Sequence, residues 1–212
     1  EIALLLGDEV SVSGEVRETY QQTTLRIGAA GDVRVLSRGN PLPPAQELNP
    51  PAEEPAAQAY YEALEGMLVQ VRDEAVAVSP TSKYGEFALV LSHHGIERIG
   101  GDTPSGWCIL VDDGDNQVHR DRSGLPYVVY SGDRVSNVLG PLAFSFGQYK
   151  IEPLYLPKVV HQARALPSLP MVGKDEFRLM TWNAKNLFDP YPPHPQDLPM
   201  PSQAEYDIAL TK

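Results

Sequence analysis

In "GDEVSVSGEV" (7–16), Val10, Val12 and Val16 fall on one face while Glu9, Ser11 and Ser13 fall on the other. This period of two marks a half-buried strand. "TTLRI" and "DVRVLS" continue as further short strands. "NPLPPAQELNPPAEEPAAQAYYEALEG" then begins as a proline-rich connector and ends as a predicted short helix, with Pro55 near its start and Gly66 as its stop. Five strand-like runs follow: "MLVQVRDEAVAVS" (67–79), "GEFALVLS" (85–92), "WCILVDD" (107–113), "DRVSNVLGPLAFSF" (133–146) and "QYKIEPLYL" (148–156). Gly140 and Pro141 interrupt the fourth, which predicts a bulge or a sharp bend there. Longer loops rich in Gly, Asp and Ser span about 93–106 and 114–131.

Five curved strands with one bent long strand predict an all-β fold, an OB-like Greek-key β-barrel over residues 66–156. Met67, Val69, Leu89, Leu110 and Val135 are expected inside it. An internal echo extends this picture. "GDEVSVSGEVRETYQQTTLRI" (7–27) and "GDRVSNVLGPLAFSFGQYKI" (132–151) share the order GD-x-V, glycine, apolar alternation, turn and a strand ending in Ile. Residues 1–45 are accordingly expected to be the last strands of a first OB-like module, with 46–65 as connector and short helix. Residues 157–176 carry no sustained period and read as a linker. "FRLMTW" (177–182) is a near-continuous apolar run, the mark of a strand buried on both faces. "PSQAEYDIALTK" then opens a helix, with Ser202 as N-cap and Glu205 completing a capping box. Residues 177–212 thus predict the truncated start of an α/β domain. Its unpaired first strand is a candidate for self-association through 177–182.

Composition narrows the partners. The chain carries a formal charge of −11 over 212 residues, distributed as −7 over 1–65, −4 over 66–155 and zero over 156–212. Neither barrel-like region has the basic face that a phosphate backbone attracts. No apolar run reaches the roughly 18 residues of a membrane span, so no membrane partner is expected. The opening "EIALLLGDEV" has neither basic flanks nor a cleavage site and reads as a strand entered midway. With Cys108 as the one cysteine, no intramolecular disulfide forms, and a small buried hydrophobe on a strand is the expected role.

"GDEVSVSGEVRE…TTL", "LEGMLVQV…YGEFALVL" with "ILVDDG" and "GDRVSNVLGPLAFSFGQYKIEP", and "LMTWNAKNLFDP" together carry a resemblance. The chain resembles the bacterial extracellular nuclease family, in which OB-like modules precede an endonuclease/exonuclease/phosphatase (EEP) domain. The last stretch is similar to the opening motif of the EEP fold, where a first strand delivers an asparagine into the active site. Asn183 matches that position and Asn186 the second, structural asparagine; many relatives have glutamate where Lys185 stands. The resemblance implies a secreted or cell-surface enzyme that hydrolyses phosphodiesters of DNA or RNA with a divalent metal, magnesium, manganese or calcium. Metal ligands and a His–Asp pair would lie beyond Lys212. Residues 1–212 are therefore expected to be an inactive accessory region that needs no cofactor of its own.

If the barrel steers a polyanion, its few cations must gather on one face beside aromatic rings that stack on bases. The candidates are Lys83, Arg98, Arg120, Arg122, Arg134 and Lys150, interleaved with Tyr84, Tyr127 and Tyr149, which sit at strand ends beside polar residues. Phe87, Trp107, Tyr130, Phe144 and Phe146 are read first as core aromatics. Binding would then be weak and salt-dependent. The competing reading keeps the fold and makes the barrel a structural or protein-interaction module. "DDGDN" (112–116) reads as a hairpin turn before a calcium site, since it lacks the alternating ligand spacing of a dedicated loop. His119, in basic "VHRDR", could touch phosphate but reads first as a solvated loop residue. His93 and His94 are adjacent and would point to opposite faces, while His161 and His194 lie in linker and loop.

Overall fold

The alternation of "GDEVSVSGEV" folds as two strands rather than one. β1 (Glu9–Val12), β2 (Glu15–Thr19), β3 (Gln22–Arg26) and β4 (Val33–Ser37) follow in order, with β1 pairing β4 and β2 pairing β3, both antiparallel. The computed structural model describes residues 3–99, 104–115, 117–119, 124–163, 173 and 202–203. The chain divides into two compact units, Glu1–Arg164 and Ala165–Lys212. Asn183, the expected strand 177–182 and most of the expected helix after Ser202 lie outside the described residues. Tyr20 and Gln21, both at positive φ, make the two-residue turn between β2 and β3, the geometry that matches strand twist. No residue of β1 to β4 is buried, and Val10, Val12, Val16, Leu25 and Leu36 stand exposed.

The connector holds β5 (Gln46–Glu47) and α1 (Glu54–Glu62). Pro55 starts the helix as expected, because a first-turn N–H has no helical partner to lose. Ala57 and Tyr61, one turn apart, are its buried residues. The helix ends four residues before Gly66, whose positive φ turns the chain into the next strand.

Beyond Gly66 come β6 (Leu68–Val71), β7 (Ala75–Ala77), β8 (Phe87–Leu91), β9 (Ile109–Val111), β10 (Arg134–Ser136), β11 (Val138–Ser145), β12 (Gln148–Ile151) and β13 (Lys158–Val160). One sheet takes them in the order β13-β10-β7-β8-β9-β12-β11-β6-β5. The sheet is curled: β6 and β7, separated by one short turn, pair with β11 and β8, so they lie towards opposite ends of that order. Every pairing from β7 to β6 is antiparallel except β9 with β12, which is parallel. Among the described residues up to 163, α1 is the one α-helix, so the fold is β-rich.

Side-chain alternation fills the interior. β11 alternates buried and half-buried residues along its whole length, sending Val138, Leu142 and Phe144 inward. β8 is buried on both faces: Phe87, Leu89 and Leu91 join the main core, while Ala88 and Val90 pack with Val78, Ile96, Trp107, Cys108 and Leu110. Of the five residues expected inside, Val69, Leu89 and Val135 are buried in the main core. Met67 is exposed because it precedes β6, and Leu110 faces the smaller cluster because odd and even positions of β9 point apart.

Two further expectations are corrected. β11 runs unbroken through Gly140 and Pro141, and the interruption falls instead at Asn137, at positive φ between β10 and β11. Gly140 serves close approach: a Cβ there would lie 2.0 Å from the Glu152 carbonyl oxygen. Within the expected linker, Lys158–Val160 forms β13 against β10. Asp133 fixes the chain beyond it by accepting hydrogen bonds from the Gln162 backbone and His161 Nδ1.

Candidate functional site

A cleft of about 560 Å³ opens where the turn before β8, the end of β9 and the start of β12 meet. Ser82 shapes the first wall. Its Oγ accepts the Tyr84 and Glu86 backbone N–H groups, and its own N–H donates to the Glu86 carbonyl. Gly85, at positive φ, closes the turn directly over Asp113: a Cβ there would lie 2.1 Å from the Asp113 carboxylate. Tyr84 is thereby held outward, half-exposed at the rim, with Lys83 Nζ 4.9 Å from its ring centroid.

The second wall is "DDGDN". Asp112, Asp113 and Asp115 each accept the backbone N–H two residues on, three successive Asx turns. One oxygen of each is committed to turning the chain, and among the described residues no cluster of three acidic, histidine or cysteine ligands could hold a metal ion. The segment is thus a run of Asx turns, as a turn reading expects, but not a hairpin turn: β9 pairs with β8 and β12, and the following strand β10 pairs with β7 and β13. Asp113 turns inward to His119 (3.5 Å), and both side chains are buried. Burial holds the Asp113 carboxyl above the usual carboxylate range, against the lowering effect of the Asp115 N–H. His119 is thus neither solvated nor presented to a phosphate; its backbone N–H donates to the Lys83 carbonyl.

Lys150 forms the floor. Its side chain is 3 % exposed and its Nζ bridges Glu86 and Asp112, the latter at 3.0 Å. Burial opposes the charge, but bonds to Glu86 and Asp112 outweigh it and hold the amine above the usual lysine range. Phe146 hangs over the same Nζ with its ring centroid 5.5 Å away. It sits at the tip of the β11–β12 hairpin, and the residue is 87 % exposed. Asp115 and Gln148 complete the lining.

The expected cationic face does not assemble from the described candidates. Lys83 and Tyr84 stand together at the cleft, whereas Arg98 is exposed beyond the opposite end of β8. Arg134 lies between Glu74 (3.8 Å) and Glu97 (3.7 Å). Tyr149 is buried, stacked on Tyr61 (5.8 Å), and its hydroxyl donates to Glu62. Tyr127 packs edge-on against Phe87 (5.3 Å) at the margin of the core. Burial first, and nearby carboxylates second, push both tyrosine hydroxyls well above the usual tyrosine range. Arg120, Arg122 and His194 lie outside the described residues.

The remaining candidates have structural surroundings. His94 stacks on Trp107 (4.0 Å), and burial, then His93, holds its imidazole below the usual range. Cys108 is half-buried just before β9, with its thiol pushed up by burial and then by Glu54. Glu86, Asp112 and Gln148 escaped sequence reasoning as site residues. Three separate strands bring them together, and only the presence of Asp112 in an acidic turn hinted at one of them.

These features define a β-rich domain with an acidic, aromatic-rimmed cleft. Residues 39–161 match the family described as Domain of unknown function (DUF8508), and the chain belongs to that family. The match runs from the connector to just past β13, so it contains the whole cleft. No curated protein and no solved structure matches the chain.

Proposed function

We propose that residues 66–156 are an OB-type barrel acting as an assembly or attachment module within a larger, metal-dependent nuclease of the EEP kind. Support for the barrel is the pairing order β7-β8-β9-β12-β11-β6, which returns to its start because β6 runs into β7, with one parallel pair, β9 with β12. Support for the parent enzyme is the resemblance of "LMTWNAKNLFDP", which makes Asn183 the expected active-site asparagine, with magnesium, manganese or calcium belonging to the same domain. Extracellular or cell-surface placement goes with that reading; no described helix is long and apolar enough to cross a membrane.

One observation carries the choice of assembly over substrate guidance. Among the barrel's described cations, Lys150 is committed to Glu86 and Asp112, Arg134 to Glu74 and Glu97, and Arg72 stands near Glu47, which leaves Lys83 and Arg98 outside the ion pairs those residues form. A phosphate backbone gains affinity by releasing counterions to free cations, and few are on offer. Titration of labelled single-stranded DNA into residues 1–212 at low salt tests this. The expected result, on raising the salt to a physiological level, is no binding tighter than on the order of 10⁻⁵ M, within the usual non-specific range. Tighter binding that Lys83→Ala and Arg98→Ala weaken would restore the guidance reading, whose one structural support is the Lys83–Tyr84 pair at the rim.

A further inference from the structure

The cleft joins an excess of carboxylates to two exposed aromatic rings, with Lys83 on the outer face of one of them. Phe146 is an almost fully exposed aromatic ring on a rigid two-residue turn, at a positive φ that a side chain disfavours. Tyr84 stands half-exposed across the opening. Between the rings the lining carries three carboxylates, Glu86, Asp112 and Asp115, against one amine, Lys150. Lys150 itself shows what this setting stabilises, since its ammonium rests on two carboxylates beneath an aromatic face. A cation over a ring is attracted by the ring's negative face, and the carboxylate excess adds to that attraction.

We propose that this cleft binds an organic cation, namely an arginine or lysine side chain presented by a partner protein, seated between Phe146 and Tyr84 and paired with Asp115. The Asp115 carboxylate spends one oxygen on the Gln117 N–H, and no ion pair engages it among those formed by the described residues. This rests on reading the barrel as an interaction module and gives that module its partner chemistry. A cleft of about 560 Å³ has room for a guanidinium and its aliphatic stem.

Backbone-amide NMR titration of residues 1–212 with triarginine tests the proposal, with triglutamate, a neutral trisaccharide and a thymidine oligonucleotide as parallel probes. Triarginine should shift the amides of Tyr84, Asp115, Phe146 and Gln148, and triglutamate should not. Phe146→Ala, which leaves the core untouched, should weaken binding about two- to fivefold, as loss of an exposed cation–π contact does. Asp115→Asn should weaken it by a similar factor. Absence of triarginine shifts, or an affinity that neither variant lowers, overturns the proposal. Preferential binding of the trisaccharide at the same amides overturns it in favour of a sugar site and leaves the assembly reading standing. Oligonucleotide binding at those amides overturns both readings together.

Discussion

Phe146 hangs over Lys150 in the cleft, and the two respond to substitution in opposite ways. Phe146 holds positive φ in a two-residue hairpin turn where Asn or Gly is favoured. Phe146→Asn should therefore raise stability by about 1 kcal/mol, read as a higher urea midpoint, while it removes the ring from the cleft. A lower midpoint would show that the ring packs in the free protein. Lys150 has its folded pKa raised, so its contribution to stability is complete below about pH 10.4, the unfolded lysine value, and is lost as pH rises through the folded value. Lys150→Met should destabilise by about 1–3 kcal/mol, less than for a fully buried pair because Glu86 keeps some water. It should also flatten stability above about pH 10. Urea melts at pH 7 and at pH 10–11 check both parts.

At the level of elements, β13 depends on one carboxylate. Asp133 is buried and accepts hydrogen bonds from the Tyr130 and Gln162 backbones and from His161. Burial would raise its pKa, but these bonds outweigh it and bring the pKa below the usual value. Its contribution is thus present above about pH 3.9 and lost as pH falls through the lower folded value. Asp133→Asn should cost about 1–3 kcal/mol at neutral pH and release the Val159–Gln162 amides to faster hydrogen exchange. Unchanged exchange there would place the anchor of β13 elsewhere. The sequence could not announce this strand, because "KVV" is too short to show a period and is held by a partner far upstream. Where alternation is long, as in β11, or apolar on both faces, as in β8, the strand was legible. The cleft was half legible: the acidic turn and Tyr84 stand out, whereas Glu86 and Gln148 gain meaning only from the register that sets β8, β9 and β12 side by side. The described candidates for a cationic face are scattered for the same reason, since counting charges along the chain does not show which carboxylate each one meets.

At the scale of the molecule, the buried core among the described residues falls inside the family boundaries. The matched residues 39–161 hold the main core, and β1 to β4 add no buried residue to it. A chain of residues 39–161 should therefore fold alone, with a cooperative thermal transition within a few degrees of residues 1–212. A non-cooperative melt would show that the N-terminal strands support the core. The β9–β12 pairing has a consequence for how such a core forms. The β11–β12 hairpin joins neighbours in sequence and can form early, but Lys150 meets Leu110 only after the whole 112–133 segment has been looped out. That closure loses chain entropy before any contact compensates it. The parallel seam therefore closes after the hairpin that supplies one of its strands, and the cleft, which straddles the seam, takes shape no earlier than that closure.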